Sequence, residues 1–144
     1  MDRRNTFAVA GVLIALAAGF AVRSTAEPAG SPEAQALIDR GRYITHDLAM
    51  CVQCHSPRDD AGRLLAGEEF HGAPVPAVNT IRGLEWALRA PNIAGLVGFT
   101  DEQEIELLTR GHAEGRPAPK PPMPPFRMTR EDARAVVAYL RTVD

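Results

Sequence analysis

The chain has 144 residues, of which 45% are apolar and 24% charged, an ordinary globular composition with room for one domain and a short targeting segment. Its formal net charge is −2, and because Asp2 stands against Arg3, Arg4 and Arg23 in residues 1–26, the remainder carries −4. A mildly acidic domain of this kind argues against nucleic-acid binding.

Taken in order, Arg3 and Arg4 precede an unbroken apolar run over residues 7–22, and Arg23-Ser24-Thr25-Ala26 comes next. Two arginines before an apolar run at the extreme N-terminus predict membrane targeting rather than a core helix. Ser24 and Ala26 offer the small residues of a cleavage site before Glu27, whereas the run itself falls between a signal h-region and a bilayer span. A cleaved signal peptide and a retained N-terminal anchor over residues 1–26 therefore both stay open. Either places the downstream domain on the periplasmic side of the inner membrane, with the arginines on the cytoplasmic side. Residues 27–32 read as a linker with no apolar periodicity, and residues 33–144 as the folded domain.

Ser31-Pro32 is an N-cap followed by proline at the first helical position, and Ala34, Leu37, Ile38, Gly41, Ile44 and Leu48 continue at helical spacing. The expected first helix runs to Cys51-Val52-Gln53-Cys54-His55. Gly41 inside it costs about 1 kcal/mol relative to alanine, which points to close approach of another backbone, with Tyr43 as a nearby packing partner.

The pentapeptide is the attachment sequence of a c-type haem. Two thiols three positions apart on one turn can each add to a porphyrin vinyl group, and the histidine directly after the second is carried under the ring to ligate iron. Other chemistries fit less well. A thioredoxin-like pair wants a βαβ setting, a zinc site wants further ligands that two cysteines and the scattered His46, His71 and His112 do not supply, and a disulfide here closes too small a loop to stabilise much. Aromatic residues are only 6% of the chain, and a buried porphyrin would supply apolar bulk that side chains do not.

Residues 56–92 lack periodicity and are rich in Gly and Pro, so they are expected to wrap the haem as loops. Within them His71 reads as a loop histidine, though a ligand role is chemically open. Trp86 with Arg82 or Arg89 can supply the donors a haem propionate needs, or can pack and face solvent. Thr100-Asp101-Glu102-Gln103 is a capping box that opens a middle helix with Ile105, Leu107 and Leu108 on its apolar face, closed by Arg110-Gly111.

Six prolines between residues 117 and 125 confine the backbone to extended and turn conformations. Such rigidity suits a side chain that must be held in place, and Met123 is the candidate, a soft thioether ligand for iron. Met50 and Met128 are rivals, the first adjoining Cys51 and the second a helix cap. Thr129-x-x-Asp132 then caps a last helix with Ala133, Val136, Val137, Leu140 and Val143 on one stripe. Tyr139 is placed to pack near Gly41.

Over roughly residues 33–143 the sequence resembles the monohaem class I cytochrome c family, through the first helix with Gly41 and Tyr43, Cys51-Val52-Gln53-Cys54-His55, Met123-Pro124 and the terminal Ala138-Tyr139-Leu140-Arg141. The resemblance implies an all-α fold with three main helices around one covalent haem c, preceded by the N-terminal hydrophobic segment. It implies crossed first and last helices, thioether bonds at Cys51 and Cys54, and His55 and Met123 as the iron ligands. Cys54-His55-Ser56-Pro57-Arg58-Asp59, Leu65-Ala66-Gly67 and Ala90-Pro91-Asn92 resemble cytochromes that accept electrons from periplasmic dehydrogenases. Lys120 is the only lysine, so cationic contacts at the haem edge fall to arginine, with Arg58, Arg116 and Arg127 nearest in sequence terms. The proline whose carbonyl orients His55 is open among Pro74, Pro76 and Pro91.

The function expected is one-electron transfer, not catalysis by the chain alone, between a dehydrogenase donor and an oxidase or other cytochrome acceptor, near the membrane through residues 7–22. Two alternatives are a fixed cytochrome subunit of a membrane dehydrogenase or respiratory complex, and a haem enzyme or gas sensor with an open iron position.

Overall fold

The structure is a computed structural model and describes residues 30–144. The expected signal or anchor over residues 1–26 and the first half of the linker lie outside the described residues. Among the described residues no helix is long and apolar enough to cross a membrane.

Helix α1 spans Pro32–Tyr43, with the Ser31 hydroxyl accepting from the Ala34 amide at 3.0 Å. The next turn, Ile44–Leu48, widens to π-helical geometry, and Met50 in the left-handed region (φ 54°) then breaks the chain into the single-turn α2, Cys51–His55. A left-handed non-glycine residue costs about 1 kcal/mol, so the kink is held by what surrounds it. The region after α2 is mostly loop, as expected, but it is not free of strand. Ala73–Pro74 (β1) pairs antiparallel with Arg89–Ala90 (β2), and a bridge joins Arg58 to Leu64.

Helix α3 is Asp101–Arg110, opened by the Thr100–Gln103 capping box and closed by Gly111 in the left-handed conformation. Helix α4 is Arg130–Leu140, with the Thr129 hydroxyl accepting from the Asp132 amide at 3.1 Å. Among the described residues the fold is thus mostly helical, and α1, α3 and α4 are the three main helices.

The α1–α4 crossing is as close as Gly41 suggests. A Cβ at Gly41 would overlap the Ala135 carbonyl and stand 2.7 Å from Tyr139 Cβ. Ala133, Val136, Val137 and Leu140 from the predicted stripe are buried, joined by Ala135. Tyr43 is a correction: it is half-exposed, with the Arg40 guanidinium 5.6 Å from its ring, and Tyr139 takes the place beside Gly41. Phe70, fully buried, anchors the loop region to this crossing through edge contacts with His46 and Tyr139, whose ring nitrogen and hydroxyl are 2.9 Å apart.

Candidate haem-binding cavity

On the one turn of α2, Cys51 and Cys54 share a face because residues three apart in a helix are neighbours. The opposite side is pinned by Val52, which is buried in the main core. The two thiols are not joined to each other. Burial pushes the Cys51 thiol up to about 11, so at neutral pH it is protonated. That is the reverse of the low-pKa thiol a redox-active or metal-binding pair uses, and among the described residues no cluster of His, Cys, Asp and Glu could hold a metal ion.

His55 is buried, and its Nδ1 lies 2.8 Å from the Pro91 carbonyl oxygen. A carbonyl only accepts, so Nδ1 carries the proton and Nε2 keeps its lone pair. Burial lowers the His55 pKa and so favours the neutral ring, while the bond to Pro91 pulls the pKa the other way. Among the three prolines left open by the sequence, Pro91 is the partner. Its approach depends on Gly72 (φ 80°), whose amide donates to the His55 carbonyl at 2.6 Å. A side chain at Gly72 would come within 2.7 Å of the Asn92 nitrogen and 2.9 Å of the Ala90 oxygen.

These groups border a cavity of about 450 Å³ lined chiefly by apolar atoms, within the range of about 300–1,000 Å³ typical of small-molecule and cofactor sites. Cys51, Cys54 and His55 come from α2, Leu107 and Leu108 from α3, and Met123 and Phe126 from the proline-rich segment. Met50 also borders the cavity but is half-exposed, whereas Met128 is packed on the core and does not line the cavity.

The polar groups divide in the same way. Arg116 borders the cavity, with its guanidinium 3.8 Å from the Phe99 ring centroid, and Arg89 and Lys120 border it too. Arg58 and Arg127, the other two arginines expected at the edge, do not line the cavity and bond local partners instead, Arg127 from an exposed position. Arg58 donates to the Gly62 and Gln53 carbonyls, and Arg127 to those of Pro125 and Phe126. Arg82 is exposed. His71 points its Nδ1 at the Glu69 carbonyl, 3.1 Å away, and does not line the cavity, in keeping with a loop histidine.

Trp86 directly precedes the cavity residue Ala87, and its buried Nε1–H finds no partner among the described residues. An unpaired buried donor costs about 1–3 kcal/mol, so the site calls for an acceptor such as a carboxylate. An apolar cavity, two thiols on its wall, an imidazole lone pair and an unsatisfied donor beside it suit a porphyrin with its propionates.

Glu104 belongs to the cavity although no sequence motif marks it. It borders the space and is buried, and no hydrogen bond or ion pair reaches its carboxylate among the described residues. In the sequence it passes for one more acid in the first turn of α3. The signal that would have found it is its spacing, one turn before Leu108 on the same inward face.

Residues 38–144 match the family model described as cytochrome c. The chain belongs to the cytochrome c family, whose members carry covalent haem c, attached in this chain at Cys51 and Cys54. Haem-based electron transfer is accordingly its function class. A curated relative, a nicotinate dehydrogenase subunit of Pseudomonas putida, is 28% identical over 120 residues, which cover 78% of this chain and 10% of that protein. The chain therefore aligns with only about a tenth of that relative's length.

Proposed function

We propose that the protein is a one-electron carrier whose haem iron is ligated by His55 Nε2 and Met123 Sδ, working on the periplasmic side of the inner membrane. The haem, when bound, supplies the redox couple, cycling between Fe(III) and Fe(II). The chain's own residues do the rest. Pro91 holds the His55 ring in the tautomer that leaves Nε2 free, and the proline-rich backbone holds Met123 at the cavity, where a thioether favours the reduced state. Trp86 Nε1, with Arg89, supplies donors for a propionate, and Leu107, Leu108 and Phe126 keep water from the ring. With His55 and Met123 both holding the iron, no position would be left for a substrate, and the chain would transfer electrons without catalysing a reaction alone. Residues 1–26 act as signal or anchor, residues 27–32 as linker, and residues 33–144 as the cytochrome domain.

The observation that carries this reading is that the attachment turn and Met123 border one cavity, with His55 already oriented by Pro91. Absorption spectra of the purified protein, oxidised and reduced, with and without carbon monoxide, test it. A low-spin spectrum indifferent to the gas is expected, and Met123→Ala should convert it to a gas-binding one. A gas-sensitive wild-type protein would instead mean an enzyme or sensor with an open iron position. An unchanged spectrum in Met123→Ala would pass the ligand role to Met50.

A second reading, a fixed cytochrome subunit of a dehydrogenase, draws on the relative named for a dehydrogenase subunit. It also draws on the exposed aliphatic side chains Val78, Ile81, Leu84 and Leu88, which lie between the two strands. Co-purification with a dehydrogenase subunit through high salt would favour it over a mobile carrier.

A further inference from the structure

Glu104 has no role in the electron transfer described above, yet its position is a demanding one. It sits on the inward face of α3 with Ile105 and Leu108, is only 6% exposed, and borders the same cavity as Cys51, Cys54 and His55. Its carboxylate opens on the cavity, where a bound porphyrin would take it out of water, and a carboxylate removed from water is normally compensated by a bonded partner. Here the two cations that act on it are committed elsewhere. Arg141, at the end of α4, donates to the carbonyls of Gly95, Leu96 and Phe99 and to Asp101. Arg116, beyond α3, lies over the Phe99 ring and donates to the Gly98 carbonyl at 3.4 Å. Across the cavity the charged and titratable groups are Arg89 from β2, Lys120, which pairs with Glu85 at 2.8 Å, and His55, whose ring is tied to Pro91 and neutral as a ligand.

The protonation of Glu104 is therefore fixed by no direct partner and is left to the balance between burial and the charge in the cavity. Burial raises its pKa above the usual carboxylate value, while the fields of Arg116 and Arg141 pull the other way. One electron entering the haem removes one positive charge from that cavity, and loss of a nearby positive charge raises a carboxyl's proton affinity.

We propose that Glu104 is a redox-linked proton acceptor, its carboxylate taking up one proton for each electron the haem gains and releasing it on oxidation. On reduction an O–H bond forms at a Glu104 carboxylate oxygen with a proton from solvent, the electron comes from the redox partner, and no protein bond breaks. Oxidation reverses both. The inference rests on the electron-carrier reading and adds that this carrier moves a proton with its electron.

Redox titration of the haem-loaded full chain from about pH 4 to about pH 9 tests it, a range that brackets a carboxyl raised by burial. The midpoint potential should fall with rising pH over part of this range, approaching the one-proton, one-electron limit of about 59 mV per tenfold change in proton activity. Glu104→Gln should flatten that part of the curve. As an independent readout, redox-difference infrared spectra should show a protonated-carboxyl band appearing on reduction and missing in Glu104→Gln. If the cavity does not tolerate the amide, Glu104→Asp should keep the slope and move the band.

A wild-type potential independent of pH overturns the proposal. So does a slope that survives in Glu104→Gln, which would assign the proton to a propionate, or a band that Glu104→Asp does not move. These failures are separable from failure of the carrier reading. A low-spin spectrum indifferent to carbon monoxide with a flat potential sinks the proton acceptor alone, whereas a gas-sensitive spectrum sinks the carrier reading whatever the pH profile.

Discussion

The α1–α4 crossing and the loops that enclose the haem cavity are built on opposite principles. At the crossing, two periodic helices meet backbone to backbone at Gly41 and Ala135, and Ala133, Val136, Val137 and Leu140 are all buried. Around the cavity, residues 56–92 and 111–129 have almost no repeating hydrogen bonds. They are held by single contacts, such as His55 Nδ1 to Pro91, Phe70 N to Ser56 Oγ at 2.9 Å, and Ala87 N to the Pro121 carbonyl at 2.8 Å. The crossing supplies stability through apolar packing, with the single strict requirement of a glycine at position 41. The cavity supplies chemistry through contacts that only particular residues can make.

That difference predicts which changes uncouple the two regions. The largest effect should come from Cys51→Ala with Cys54→Ala, which should abolish haem that survives denaturing electrophoresis while α1, α3 and α4 can still form. Complete loss of helical circular dichroism as well would mean that the crossing does not stand without the cofactor. Next comes Gly41→Ala. Overpacking typically costs about 1–3 kcal/mol, and because the new methyl would meet the Ala135 carbonyl, the upper end is expected in denaturant unfolding. A loss below about 1 kcal/mol would show that the helices slide apart at little cost.

Thr100→Ala removes one half of the capping box of α3 and should cost about 1 kcal/mol in the same assay. It should leave the haem spectrum unchanged, since Thr100 itself does not line the cavity and its capping partner Gln103, which does, is kept. The smallest and most diagnostic effect is that of pH on stability through Glu104. Its folded pKa is raised, so the folded state holds its proton where the unfolded chain has released it. Stability from this group is present below the ordinary glutamate range and is lost as pH rises through the folded value. Glu104→Gln should therefore be relatively more stable at neutral than at acid pH, as read by thermal midpoints. A difference independent of pH would show that Glu104 titrates normally.

The two regions also differ in how far the sequence reveals them. Caps and stripes declare helices locally, so Ser31-Pro32, Thr100 to Gln103 and Thr129 to Asp132 mark the helix starts, and the attachment motif carries the haem in five residues. The cavity wall depends on where loops lead, which no local pattern encodes. Pro74, Pro76 and Pro91 are equivalent as sequence, and only the path of residues 56–92 brings Pro91 to His55. Tyr43 lies beside Gly41 in the sequence and Tyr139 on a different helix, but the crossing brings Tyr139 against Gly41 and leaves Tyr43 half-exposed. Arg58 and Arg127 read as edge residues by sequence, but the fold leaves both outside the cavity lining, each bonded to neighbouring carbonyls. Glu104 is the clearest case, a charge that reads as helix-dipole compensation and proves to face the cavity.

The short β1–β2 pair has a consequence for engineering. The ladder and the Val75 amide, which donates to the Leu88 carbonyl at 2.9 Å, fasten both ends of the excursion between them. A loop whose ends are already clamped can change length cheaply, each doubling costing only about 0.6 kcal/mol of closure entropy. Residues 76–84 are therefore a natural graft point, where a recognition peptide or an electrode-binding tag could be inserted beside the cavity while the walls that set its chemistry stay as they are.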